Sequence, residues 1–185
     1  MKLEKVKEFL ATLPKKQLDE IGARSCTHHD YIYNCVSELR SRAAIEVGTF
    51  RGLNTLYIAA ACEETNDLLY TININHKEVE CAKNLMRSAG LINVEFYVGD
   101  SINVLRSIDC ISFDFAFIDG NHSYRYSHEE FTLIRRGMKK GIILLDDANY
   151  IHPDGQYDGG VPQTVKEVGA VLVPGMNKLA RVDVV

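Results

Sequence analysis

Apolar positions along this chain follow two alternating rhythms. Leu3, Val6, Phe9, Leu10 and Leu13 recur every three to four residues, the spacing of one helix face, and Pro14 closes that helix. Tyr31, Ile32, Cys35, Val36 and Leu39 repeat the pattern. Residues 43–47 then read Ala-Ala-Ile-Glu-Val, a short apolar run of strand character. From there the two rhythms take turns. Strands are expected over 68–74, 94–98, 113–118 and 141–145, and helices over 53–62, 77–89, 101–107, 123–138 and 161–168. Gly90 supplies the stop of the 77–89 helix. The alternation of Phe113, Phe115 and Phe117 reads as core, not as an aromatic substrate box.

Strand–helix alternation of this regularity means an α/β fold, a parallel sheet covered by helices on both faces. The tail departs from it. Apolar runs at 170–173 and 179–184 flank Pro-Gly-Met-Asn-Lys, a hairpin signature, so an antiparallel pair closes the sheet. Before it, residues 148–161 carry Gly155, Gly159 and Gly160 and form a long loop, a length that is usually functional or mobile. Residues 1–42 are N-terminal helices that pack on or cap the site, and 43–185 are the core of one structural domain.

Each apolar run ends in polar residues. The first carries Glu46 within it and gives way to Gly48-Thr49; Asn73 and Asn75 close the second, Asp100-Ser101 the third, Asp119 the fourth and Asp146-Asp147 the fifth. The carboxyl ends of parallel strands share one edge, where open α/β sheets bind ligands, so these residues gather into one site. Gly48 and Gly52 mark a sharp strand-to-helix turn that brings backbone N–H groups to a ligand.

Composition narrows the function classes. The formal net charge of −4 argues against an electrostatic partnership with nucleic acid. No apolar stretch reaches the length of a membrane span, and the charged N-terminus lacks the apolar core of a signal peptide. Cysteines at 26, 35, 62, 81 and 110 are scattered and odd in number, which reads as reduced thiols in a cytoplasmic protein.

Three motifs, Glu46-Val-Gly-Thr-Phe-Arg-Gly52, Phe117-Ile-Asp-Gly-Asn-His-Ser-Tyr124 and Ile143-Leu-Leu-Asp-Asp147, stand in order and spacing such that the chain resembles a class I S-adenosylmethionine-dependent methyltransferase. The resemblance is to the small catechol-type and metal-binding O-methyltransferases and runs from about residue 43 to 168. It implies a Rossmann-like sandwich with a mostly parallel seven-stranded sheet and an antiparallel last strand. It also implies methyl transfer to a hydroxyl of a small-molecule acceptor, with no membrane partner and with room for a homodimer. The rival reading is a catalytically silent relative that acts as a binding or interaction protein.

Carried over residue by residue, the resemblance implies that Glu46, Gly48, Thr49, Phe50 and Gly52 wall the methionine end of the cofactor, while Asn54 and Thr55 bond its carboxylate. Asp100 and Ser101 match the positions that meet the adenine, and Asp119 stands near the sulfonium methyl. At the end of the second strand the family carries an acid for the ribose hydroxyls, and this chain has Asn73. An amide offers one neutral acceptor in place of a carboxylate, a loss of about 1–2 kcal/mol. The divalent metal of related enzymes (Mg²⁺ first, Mn²⁺ or Ca²⁺ as options) falls on Asp119, Asp146 and Asp147, an oxygen-rich set that suits such ions. His122 occupies the place of the family's general base; it serves either as base, or as helix cap, cofactor contact or metal contact. His28-His29 at a helix start is expected to face solvent or to cap; His76 to open a helix near the adenosine; and His128 to lie on the surface. His152, Asp154 and Asp158 are candidates for the substrate entrance.

Overall fold

The computed structural model describes residues 1–23, 28–108, 111–150 and 159–185. Helices α1 (Leu3–Thr12), α2 (Lys15–Glu20) and α3 (His29–Leu39) precede strand β1 (Ala43–Val47). Then follow α4 (Leu53–Glu63), β2 (Leu68–Asn73), α5 (His76–Ala89), β3 (Val94–Val98), α6 (Ser101–Ser107), β4 (Phe115–Ile118), α7 (Tyr124–Gly137) and β5 (Gly141–Leu145). Helix α8 (Gly160–Val168) and the hairpin of β6 (Val171–Leu172) and β7 (Ala180–Val184) complete the chain. The seven strands form one sheet in the order β3-β2-β1-β4-β5-β7-β6. Pairing is parallel from β3 through β5, and β7 runs antiparallel to both β5 and β6.

Period-two alternation sorts the strand side chains between two cores. Phe115 and Phe117 of β4, with Ile142 and Leu144 of β5, face α1, α3 and α4. Ala116 and Ile118, with Ile143 and Leu145, face α6, α7 and α8. Helix α4 is enclosed on every side, with Leu56, Ile58, Ala59 and Ala60 wholly buried, which explains why its sequence is apolar all round. Val6 of α1 and Ile32 and Val36 of α3 join the same core, so the N-terminal helices are part of the domain's packing. Helix α2, which the periodicity did not predict, is six residues long and buries none of them.

Local chemistry sets the helix ends that matter for the site. Asp100 caps α6 by accepting from Asn103 N–H at 3.0 Å, and Asn75 caps α5 by accepting from Lys77 N–H at 3.0 Å. Ser123 caps α7 through Tyr126 N–H. Gly90 takes the left-handed conformation that ends α5. Each of the three caps lies just past the carboxyl end of a strand, so the first turns of α5, α6 and α7 border one crevice.

Candidate active site

Strand order reverses between β1 and β4, and ligands of open α/β sheets bind in the crevice at that switch point. Here it holds a cavity of about 560 Å³. Its floor begins where β1 ends. Gly48, at φ +100°, turns the chain so that the N–H groups of Gly48 and Thr49 both reach the Ile72 carbonyl, at 2.9 and 3.3 Å. A Cβ at residue 48 would lie 2.0 Å from the Asp119 carbonyl oxygen, so glycine is what lets β1 and β4 meet at this edge. Gly52 serves a different purpose. A Cβ there would meet the Ala82 Cβ at 2.8 Å, so this glycine seats α4 against α5 and does not reach the cavity.

Of the residues assigned to the cofactor, Gly48, Thr49, Phe50, Asn54, Asn73, Asp100, Ser101 and Asp119 line the cavity. Glu46 and Thr55 stand behind the wall. Both are wholly buried, and the Thr55 hydroxyl donates to Glu46 Oε2 at 2.6 Å, so it has no route to a cofactor carboxylate. Thr71 donates to the same Glu46 oxygen and meets the Thr49 hydroxyl. Two hydroxyls, not backbone amides, therefore hold Glu46. Burial outweighs their pull and pushes its pKa up to about 7. Asn54 Nδ2 reaches Asp119 Oδ2 at 3.5 Å, while its buried Oδ1 has no partner among the described residues. Asn73 keeps its place at the end of β2 but turns its amide nitrogen to Glu78 Oε2, at 2.8 Å.

The acidic cluster differs from its expected form. Ligand atoms of Asp119, His122 and Asp147 lie within 4.8 Å of one another. Asp146 is not in that group: it is buried and faces His28, with Oδ2 3.7 Å from His28 Nε2. Asp146 is still on the ladder, donating its N–H to the Ile118 carbonyl, whereas Asp147 has left it at φ +52°. That change of conformation sends the two neighbours to opposite sides. Asp147 Oδ2 meets His122 Nδ1 at 3.2 Å, and its Oδ1 meets Lys178 Nζ at 3.2 Å. Burial, then the carboxylates of Asp146, Asp147 and Glu46, hold Asp119 well above the usual carboxylate range, with Lys178 opposing. Two carboxylates and an imidazole at this spacing fit a divalent cation, which would relieve that repulsion.

The histidines also depart from expectation. His122 does not cap α7, because Ser123 does; it lines the cavity. His28 and His29 are buried, and the His28 side chain makes no cap to α3. His29 stacks on Tyr57 with centroids 4.9 Å apart and lines the cavity. Burial, and then His28, push its pKa down to about 4, so it is a neutral imidazole near pH 7. His76 is the first residue of α5 and is exposed, outside the cavity lining, and His128 pairs with Glu167 at 3.7 Å on the surface. Cys35, Cys62 and Cys81 are free thiols. Cys26, Cys110, His152, Asp154 and Asp158 lie outside the described residues.

Sequence reasoning missed Tyr126, which lines the cavity and whose hydroxyl donates to Asp100 Oδ2 at 2.8 Å. That bond, with the Asn103 N–H, holds the Asp100 carboxyl below the usual range. The cue was available: Tyr126 falls in the first turn after the fourth strand, the same sheet edge as Asp100. Ile21, Gly22 and His29, also in the lining, come from the N-terminal segment, and periodicity gives no hint of their reach.

Residues 45–148 match the family described as a methyltransferase domain. The chain belongs to that family. It is 30% identical over 149 residues to an Arabidopsis thaliana protein provisionally named a caffeoyl-CoA O-methyltransferase, covering 78% of this chain and 63% of that one. It is 25% identical over 114 residues to an O-methyltransferase of Aspergillus hancockii, covering 60% and 45%. The chain thus spans less than two thirds of the length of either relative. Among solved structures, the O-methyltransferase TomG from Streptomyces achromogenes, in complex with S-adenosylmethionine, superposes with a TM-score of 0.75 at 18% identity, covering 100% of this chain and 92% of that one. An O-methyltransferase from Bacillus cereus, in complex with S-adenosylhomocysteine, gives 0.74 at 17% identity, with the same two coverages. These two likenesses share the fold. No helix among the described residues is long and apolar enough to cross a membrane.

Proposed function

We propose that this chain transfers a methyl group from S-adenosylmethionine to a hydroxyl of a small molecule, with a divalent cation held by Asp119, His122 and Asp147. One observation carries the reading: Asp119 belongs at once to the wall of the cavity and to the three-residue cluster. A ligand in the cavity and an acceptor at the cluster would therefore meet at Asp119. When bound, S-adenosylmethionine supplies an electrophilic methyl group and the cation lowers the pKa of an oxygen bound to it.

The chain's own residues do the rest. Asn73, Asp100 and Ser101 would bind the adenosine, and Gly48 lets the first turn close against Asp119 at the methionine end. Asn54, on the cavity wall with its Nδ2 toward Asp119, would bind the amino-acid end of the cofactor. His122 turns Nδ1 to Asp147, a contact that fits either a shared cation or a ring held with Nε2 as base. The hydroxyl's proton then leaves to Nε2 or to solvent. Catalysis rests mainly on holding two reactants in line.

Calorimetry with S-adenosylmethionine and S-adenosylhomocysteine, with Mg²⁺ present, tests the proposal. Saturable one-to-one binding is expected, and no binding of either would leave the silent-relative reading in its place. A metal-independent reading has its own support, because the Lys178 ammonium already sits 3.2 Å from Asp147. Methyl transfer that persists unchanged in a strong chelator would favour it.

A further inference from the structure

Glu130, in α7, is wholly buried, and its Oε2 has no hydrogen-bond partner among the described residues. Its Oε1 accepts the Ser101 hydroxyl. Ser101 opens α6 and lines the cavity beside Asp100. Gly120, also on the cavity wall, lies over the carboxylate: a Cβ there would come within 3.4 Å of Glu130 Oε1. The acid is therefore set directly under the part of the wall formed by residues 101 and 120. An acid buried with one oxygen unsatisfied is costly, and an apolar residue of similar size would fill the space at no such cost. Burial pushes its pKa up to about 7, against the pull of the Ser101 bond. Packing gives no reason for it.

The reason lies in the direction of one proton. A serine hydroxyl has a single hydrogen, and Ser101 points it at Glu130. What remains for the cavity is lone pairs alone. Asp100 beside it, with Oδ2 satisfied by Tyr126, is likewise an acceptor. The base of an adenine nucleoside has one N–H donor group, its 6-amino group; a 6-oxopurine shows an acceptor at that atom.

We infer that Glu130 is a specificity-positioning residue, which fixes Ser101 as an acceptor and so admits a 6-aminopurine while rejecting a 6-oxopurine. The inference rests on the cofactor reading above, in which Asp100 and Ser101 meet the base. It adds that discrimination at position 6 is set from beneath the wall, by a residue that touches no ligand.

The test is calorimetry of the full chain with S-adenosylhomocysteine and its deaminated counterpart, S-inosylhomocysteine, which differ at that position. The wild type should prefer the adenosyl compound by about tenfold or more, as sites that pair a polar group do. Glu130→Met removes the acceptor and lets the Ser101 hydroxyl turn toward the base. The preference should fall to within about threefold, chiefly because the inosyl compound gains. Ser101→Ala leaves the buried acid alone and should cut the preference by weakening the adenosyl compound, so it decides the matter even where Glu130→Met does not fold. Equal binding of the two compounds by the wild type, or the full preference kept in either variant, overturns the inference. Binding of neither compound by the wild type would instead overturn the cofactor reading itself.

Discussion

Asn73 donates its amide N–H to Glu78 Oε2 across 2.8 Å, and a second, longer bond of 3.4 Å runs to the Asn75 carbonyl. The residue that would face the ribose is thus held by an acid from the first turn of the next helix. A carboxylate accepts only, so the amide's nitrogen must face Glu78 and its oxygen must face away. Glu78 itself is outside the cavity lining.

This bond changes what a restored acid would do. Asn73→Asp alone places two carboxylates at hydrogen-bond distance, so it should fail to tighten S-adenosylhomocysteine binding. Adding Glu78→Gln removes the repulsion and restores a donor to the new aspartate. The double variant should then bind more tightly than Asn73→Asp by up to about tenfold. Tighter binding by Asn73→Asp alone would show that Glu78 moves aside.

The cluster can be tested without an acceptor. Mg²⁺, Mn²⁺ or Ca²⁺ should raise the melting temperature with a saturable dose response, and Asp147→Ala should abolish it. Asp146→Asn separates the two ligand sets. Its carboxylate faces His28, so the metal response should persist in that variant. Loss of the response in Asp146→Asn would return Asp146 to the first coordination sphere.

The Glu46 acid makes a contribution that depends on pH. Its folded pKa of about 7 lies above its ordinary 4.5, so the folded state holds the extra proton between those values. Stability from this group is fully present below about 4.5 and is lost as pH rises to about 7. His29, with its pKa lowered to about 4, works the other way and adds stability as pH rises from about 4 to its ordinary 6.5. The two nearly overlap, so the wild-type curve hides both. Comparing Glu46→Gln with the wild type isolates the acid: their stability difference should shift in the variant's favour by roughly 3 kcal/mol between pH 4.5 and 7. Denaturant midpoints across that range measure it, and a constant difference would show that Glu46 titrates normally.

Two glycines of the first turn should respond differently to alanine. Gly52→Ala adds a methyl 2.8 Å from the Ala82 Cβ at a left-handed φ, a packing fault worth about 1–3 kcal/mol in urea denaturation. Gly48→Ala drives a methyl into the Asp119 carbonyl, so it should cost more and should also weaken ligand binding by moving Asp119. Equal losses in the two would deny the close approach at Gly48.

Residues 43–47 and 141–145 were legible because burial on both faces writes itself as short apolar runs, and the half-exposed edge strand 94–98 through its alternating Val, Phe and Val; all three match their elements to the residue. The antiparallel close was legible from turn chemistry at Pro174 and Gly175. What periodicity could not give was side-chain direction. Asp146 and Asp147 are equivalent letters in the sequence, and the left-handed turn at Asp147 assigns one to His28 and the other to His122. Thr55 looks like a ligand residue by position, yet a buried acid nearby claims its hydroxyl. His28 and His29 read as polar and hence exposed, but stacking on Tyr57 and the reach to Asp146 draw them inside. Helix α2 has too few apolar residues to show a period at all.

Helix α4 joins two worlds: Leu53 and Asn54 at its start line the cavity, and the turns after them are sealed between the sheet and α1 and α3. Its interior amides can exchange with solvent only when much of the molecule opens. A ligand that steadies the first turn must slow that exchange in proportion to its occupancy. Deuterium uptake along α4 would therefore report ligand binding directly, ranking candidate compounds before any reaction product is known.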